Sequence, residues 1–175
     1  ISEITNMDNL EADENLYAGG LSVMNKNDFL NPHIDNSHDI SRNRYRRLNL
    51  LYYVTPDWDI SNGGNFELWD NSVKNKKTIT SKFNRLIIME TNKTSWHSVS
   101  KVKVDKNRCC ISNYYFSKKS PNINVKEYFH VTSFLGRPNE KYKRVYGYVD
   151  NYLRNTISNL FKIGRGKNLI NKEKK

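Results

Sequence analysis

The sequence predicts an all-β core of jelly-roll type with one helix at its C-terminal end. Three observations carry this. Short aliphatic and aromatic runs recur between turn signals as far as Phe116, the pattern of an antiparallel sandwich or barrel. No helical segment separates them, so βαβ units are excluded. Beyond Arg137 the apolar spacing changes from two residues to three and four. At 175 residues the chain fits one domain with a substantial core.

The elements follow in order. Residues 2–16 are polar and acidic and allow a short helix at most. After Gly19 and Gly20, LSVM makes a short strand. NLLYYV is rich in strand-forming residues and ends at Thr55-Pro56, a breaker. SNGGNFELWD sets a Gly-Gly turn before a strand, and KKTIT, NRLIIME and RCCISNYYF follow as further strands. Two antiparallel sheets of this kind pack around a pocket. In the tail, Val145, Val149, Tyr152, Leu153, Thr156, Leu160 and Ile163 fall at helical spacing, with Arg144, Arg154 and Lys162 elsewhere. Gly164 and Gly166 should end that helix, and its apolar stripe should pack on the barrel. The chain thus divides into a jelly-roll domain, 1–136, and a basic helical tail, 137–175.

The net charge of +11 is unevenly spread: 11 of the 29 Lys and Arg, but only three of the 18 acidic residues, lie from Arg137 onward. The tail reads as a solvated helix face, or as a docking surface for an acidic partner. The core lacks a basic stripe with interleaved aromatics, which argues against nucleic-acid binding. No run approaches the ~20 apolar residues of a membrane span. The two cysteines, Cys109 and Cys110, are adjacent and form no disulfide framework, which points to a reducing, cytoplasmic setting. The first residue is Ile1, without a signal-peptide pattern, as in a fragment.

Two histidines and an aspartate carry the chemistry. His33 and Asp35 are two apart, so on an extended segment they face the same way while Ile34 turns into packing. His97 follows several strands later. Two histidines and one carboxylate can cover one face of an iron octahedron and leave the opposite positions open for a cosubstrate and dioxygen. With Asp35 present, no halide has a vacant protein-ligand position, so hydroxylation is expected over halogenation. His38 lies in a polar stretch and His130 has no carboxylate two residues away; neither is assigned to the metal.

Arg108 opens RCCISNYYF, where alternation puts Arg108, Cys110, Ser112 and Tyr114 on one face. An arginine facing into an apolar barrel needs an anion, and a distal carboxylate of 2-oxoglutarate matches its fork. The alternative is a rim arginine paired with Asp or Glu. In NLLYYV, Asn49, Leu51 and Tyr53 share a face, which makes Tyr53, Asn49 and Ser112 candidate cosubstrate contacts. A one-residue shift would exchange Tyr53 for Tyr52. Cys109 and Cys110 read as packing residues.

The strings HIDNS, LNLLYYVTPDWDISNGGNFELWD, FNRLIIMETNKTSWHSV and NRCCISNYYFS, in this order, resemble the prolyl 4-hydroxylase group of 2-oxoglutarate oxygenases, the hypoxia-sensing branch and its microbial relatives above all. The resemblance covers roughly residues 19–117. It implies a double-stranded β-helix, the cupin-like jelly roll. Fe(II) would be held by His33, Asp35 and His97, and 2-oxoglutarate by Arg108 with help from Tyr53. Ascorbate is the implied reductant. The chain departs from the group at Val23, near the place of a further tyrosine, and at Tyr114, where close relatives carry tryptophan. The expected reaction is hydroxylation of an unactivated C–H bond, with peptidyl proline as first substrate and a small molecule or sugar moiety as the alternative. A non-catalytic jelly-roll binding module is the competing class.

Overall fold

The computed structural model describes residues 1–121 and 129–161. The order is α1 (Ser2–Thr5), β1 (Glu11–Ala12), β2 (Gly20–Met24), β3 (Leu30–Ile34), β4 (Tyr45–Tyr53), β5 (Phe66–Trp69), β6 (Lys76–Ile79), β7 (Arg85–Glu90), β8 (His97–Val99), β9 (Arg108–Ser117), β10 (Ser133–Phe134) and α2 (Lys141–Phe161). One sheet runs β1-β9-β4-β7, with β2 also on β9; the other runs β10-β3-β8-β5-β6. All pairings are antiparallel. The sheets stay open at their edges. The jelly roll and the C-terminal helix follow the sequence expectation, and each anticipated run forms a strand.

The core joins the two sheets. Tyr53 from β4, Met89 from β7 and Cys110 from β9 meet Phe66 from β5, flanked by Leu51, Ile79 and Ile87. Burying a side chain of this size contributes about 1.5–3 kcal/mol. The Gly-Gly turn before β5 has a steric reason. Gly63 has φ +72, and a Cβ there would lie 1.9 Å from the Lys101 carbonyl oxygen. Trp58 Nε1 donates to the Gly63 carbonyl at 2.9 Å. The turn is therefore a packing device.

The helix corrects one expectation. Val145, Val149, Tyr152, Leu153 and Leu160 are exposed, as is Thr156, so the stripe does not pack on the barrel. Ile163, Lys162, Gly164 and Gly166 lie outside the described residues. Docking instead runs along Arg144, Gly147, Asn151, Asn155 and Ser158, also at helical spacing. The reason is β10, an edge strand whose backbone groups need partners. Asn151 supplies both kinds: its Oδ1 accepts from the Phe134 N–H at 3.1 Å and its Nδ2 donates to the Phe134 carbonyl at 2.8 Å. Asn155 Oδ1 accepts from the Val131 N–H at 3.1 Å. Arg144 donates to the carbonyls of Ser72, Val73 and Gly136 at 2.8–3.1 Å. Gly147 allows the approach, since a Cβ there would lie 2.9 Å from the Phe134 carbonyl oxygen. No helix among the described residues is long and apolar enough to cross a membrane.

Candidate metal centre

β3 and β8 are neighbours in the second sheet, with His33 opposite His97. Asp35 follows directly after β3. Their ligand atoms all lie within 4.8 Å of one another, and all three residues are buried. Asp35 Oδ1 is 3.9 Å from His33 Nε2, and Oδ2 is 3.8 Å from His97 Nε2. Two ligands each ~2.1 Å from one ion can be that far apart. The orientation is fixed from behind. His33 Nδ1 is 2.9 Å from the Asn31 carbonyl and His97 Nδ1 is 2.9 Å from the Ser95 carbonyl. A carbonyl only accepts, so each Nδ1 carries the proton and each Nε2 presents its lone pair inward. This is the one such cluster among the described residues.

The electrostatics suit a cation. Burial and the neighbouring His97 lower the His33 pKa to about 4, so its ring is neutral at neutral pH. Burial alone would raise the Asp35 pKa. His97, Arg46 and His33, with the Asn49 hydrogen bond, outweigh it and hold Asp35 below its ordinary value.

Arg108 lies beside Tyr53, which packs with Phe66, a neighbour of the His97 ring. It is 3% exposed, with its guanidinium 4.8 Å from the Tyr53 ring centre and Nη1 3.5 Å from Met24 Sδ. Arg108 Nε is buried without a hydrogen-bond partner, and the Tyr53 phenol meets Ser81 and Arg108. Burial pushes the Tyr53 phenol up in pKa, against the pull of Arg108. The rim alternative for Arg108 is excluded by this burial. Tyr53 is fully buried, whereas Tyr52 is 37% exposed and donates to Asn84 Oδ1, so the inward face is that of Tyr53. Arg108 Nε, buried and without a hydrogen-bond partner, fits a carboxylate, since burying a charge alone is costly.

Asn49 and Ser112 make contacts of their own. Asn49 Nδ2 donates to Asp35 Oδ2 at 3.3 Å, so it supports the metal carboxylate. Ser112 Oγ donates to the Gly20 carbonyl at 3.3 Å. His38 and His130 stay outside the cluster; His38 packs at a tilt against Tyr45 and Phe129.

Sequence reading missed Arg46. It is 1% exposed, with Nη1 3.9 Å from Asp35 Oδ1 and its guanidinium 3.8 Å from the Tyr114 ring centre. Its Nε and Nη2 lack hydrogen-bond partners. Strict alternation from Tyr53 and Asn49 points Arg47 inward, but the β4–β9 register shifts between Arg46 and Leu48. That bulge inserts one residue and turns Arg46 to the inner face. Its only trace in the sequence is the surplus of arginine in RNRYRR.

A jelly roll carrying a buried two-histidine, one-carboxylate face defines a mononuclear non-haem metal protein. The chain belongs to the 2OG-Fe(II) oxygenase superfamily, whose family model matches residues 19–116. Among solved structures it is similar to a prolyl hydroxylase in complex with a hypoxia inducible factor oxygen degradation domain peptide fragment from Trichoplax adhaerens. That match has 22% identity and TM-score 0.47, over 61% of this chain and 46% of that one. A prolyl 4-hydroxylase from Phytophthora capsici is 18% identical, with TM-score 0.46 over 80% and 43%. The viral collagen prolyl hydroxylase of Paramecium Bursaria Chlorella virus-1 is 16% identical, with TM-score 0.49 over 67% and 66%. The chain thus spans less than half the length of the first two. No curated relative matches the chain.

Proposed function

We propose that the chain is an Fe(II)- and 2-oxoglutarate-dependent dioxygenase that hydroxylates an unactivated C–H bond, with peptidyl proline as the first substrate to test. The observation that carries it is the buried His33, Asp35 and His97 cluster together with the buried Arg108, whose Nε lacks a hydrogen-bond partner, beside Tyr53. Family membership of residues 19–116 supports the same reading. The prolyl branch rests on the motifs from HIDNS to NRCCISNYYFS.

When bound, metal and cosubstrate supply the oxidation: one oxygen atom of O2 enters succinate as 2-oxoglutarate loses CO2, and the other turns C–H into C–OH. The chain's residues position and exclude. The two Nε2 lone pairs and the Asp35 carboxylate hold the metal, and Asn49 holds Asp35. Arg108 takes the distal carboxylate through paired N–H groups, and Tyr53 Oη donates to it. Phe66, Met89 and Cys110 keep water from this end. Ascorbate would serve to restore the metal after uncoupled turnover.

The test is succinate formation from 2-oxoglutarate with added Fe(II), with and without proline-containing peptides. Stimulation by a peptide, with a gain of 16 mass units, is the expected result. Stimulation by a sugar or small molecule alone would move the substrate assignment, and no turnover with any of them would leave a binding module.

A further inference from the structure

Beside the metal cluster lies a cavity of about 280 Å³ between the segment after Asp35, residues 129–134 and the C-terminal half of α2. None of the three metal ligands lines it, yet it touches their surroundings twice. Asn36, the residue after Asp35, forms part of the wall. Phe134, another part, stacks on the His33 ring at 5.3 Å. Ile40, Phe129, Phe134 and Ile157 make it apolar, and Arg42 and Arg154 bring positive charge. The Arg42 guanidinium carbon lies over Phe129, 3.6 Å from the ring centre, and its Nη2 donates to Ser158. Arg154 is half-exposed and pairs with Asp150 at 3.6 Å across one turn, a pair easily exchanged. The acidic group in the wall, Asp39, is engaged: its carboxylate accepts from Arg44 Nε at 2.9 Å and from the backbone N–H groups of Asn43 and Arg44.

From this geometry we infer that the cavity is a substrate-anchoring site for an acidic peptide, taking an apolar side chain against Phe129 and Ile157 and a neighbouring carboxylate against Arg154. The inference rests on the proposed hydroxylase reading and narrows its substrate class to peptides with an apolar-acidic pair near the reacting residue. A free small molecule would have no use for an anchor separated from the metal by Phe134. The charge complementarity favours an acidic segment, because Asp39 is buried and held by Arg44 whereas the Arg154–Asp150 pair is exposed and exchangeable.

The experiment uses the full chain loaded with Mn(II) and 2-oxoglutarate. Fluorescein-labelled peptides carry a central proline and one Leu-Glu pair stepped along either side of it; a matched set carries Leu-Lys. Binding is read by anisotropy. At least one Leu-Glu register should bind about tenfold tighter than its Leu-Lys match. Arg154→Glu should abolish that preference, and Ile157→Trp, which fills the cavity, should weaken the same peptide about 30-fold. Lys77→Glu, an equal charge change at an exposed position on β6, should do neither. Thermal midpoints report whether each variant is folded. Equal binding of both peptide sets, or equal effects of Arg154→Glu and Lys77→Glu, overturns the inference. Succinate formation without peptide is measured separately: its failure with peptide preference intact would count against the hydroxylase reading and leave the anchoring site standing.

Discussion

Asn49 Nδ2 donates to Asp35 Oδ2 at 3.3 Å, linking the middle of β4 to the loop end of β3 and so joining the two sheets at the metal carboxylate. A carboxylate held this way keeps its lone pairs aimed before any metal arrives. Outer partners of this kind typically change metal affinity 10–100-fold when removed. Asn49→Ala should therefore weaken Mn(II) or Fe(II) binding by about tenfold, read by calorimetry. An unchanged affinity would mean that Asp35 is oriented by its other neighbours, Arg46 foremost.

The ligands themselves should behave differently. His33→Ala, Asp35→Ala and His97→Ala are each expected to lose stoichiometric metal, measured by elemental analysis after dialysis. His38→Ala is expected to retain it, because His38 packs on Tyr45 and Phe129 away from the cluster. A His97 variant with full metal content would remove the second histidine from the assignment.

For the cosubstrate, Arg108→Ala should cost about 2–5 kcal/mol of 2-oxoglutarate binding, or roughly 30- to several-thousand-fold, by loss of a charge-assisted pair at a buried arginine. Tyr53→Phe should cost about 1 kcal/mol, one neutral hydrogen bond. Iron affinity should change little in either. Titration of 2-oxoglutarate into the Mn(II)-loaded chain measures both.

How far the sequence led can be judged at these same positions. The triad was legible because a period of two puts His33 and Asp35 on one side of any extended segment, whatever surrounds it. Arg108, Cys110 and Tyr114 were legible for the same reason, and all three are buried. Arg46 was not, because a bulge breaks the period and nothing local marks where one falls. Asn49 was placed on the correct face, but the structure spends its amide on Asp35, a contact between sheets that no local pattern contains. The helix of the tail was legible from its spacing. Its orientation was not, because apolar periodicity says nothing of an edge strand that needs hydrogen bonds more than it needs grease.

Acid should destabilise the metal-free chain through His33 and His130 alike, and His130 can be tested without touching the metal cluster. Burial, with the charge of Lys93 second, lowers its pKa from 6.5 to about 4 in the fold. Between those values the unfolded chain binds the proton and the native chain does not, so stability is present above pH ~6.5 and is lost as pH falls toward 4. The full loss is about 3 kcal/mol. His130→Gln should flatten the thermal midpoint between pH 6.5 and 4.5 relative to the parent. Parallel pH profiles would show that His130 is not the group responsible.

The last prediction separates the polar seam of α2 from its apolar face. Glu67 is 1% exposed and accepts from Ser98 Oγ at 2.6 Å and Arg137 Nη1 at 2.7 Å, with Lys76 on its other oxygen. Arg137 also donates to the Val99 carbonyl at 3.0 Å, so the start of the tail is tied to the strand that carries His97. Arg137→Ala leaves a buried carboxylate short of one cation and should cost about 2–3 kcal/mol, somewhat less than a fully broken buried pair because Lys76 remains. Asn151→Ala uncovers both backbone groups of Phe134 and should cost about 1–3 kcal/mol. Val149→Lys and Leu153→Lys sit on the exposed face and should stay within about 0.5 kcal/mol of the parent. Urea denaturation of the four variants gives the comparison. If the two lysine variants are the damaging ones, the helix is held by its apolar stripe in solution and the asparagine seam is incidental.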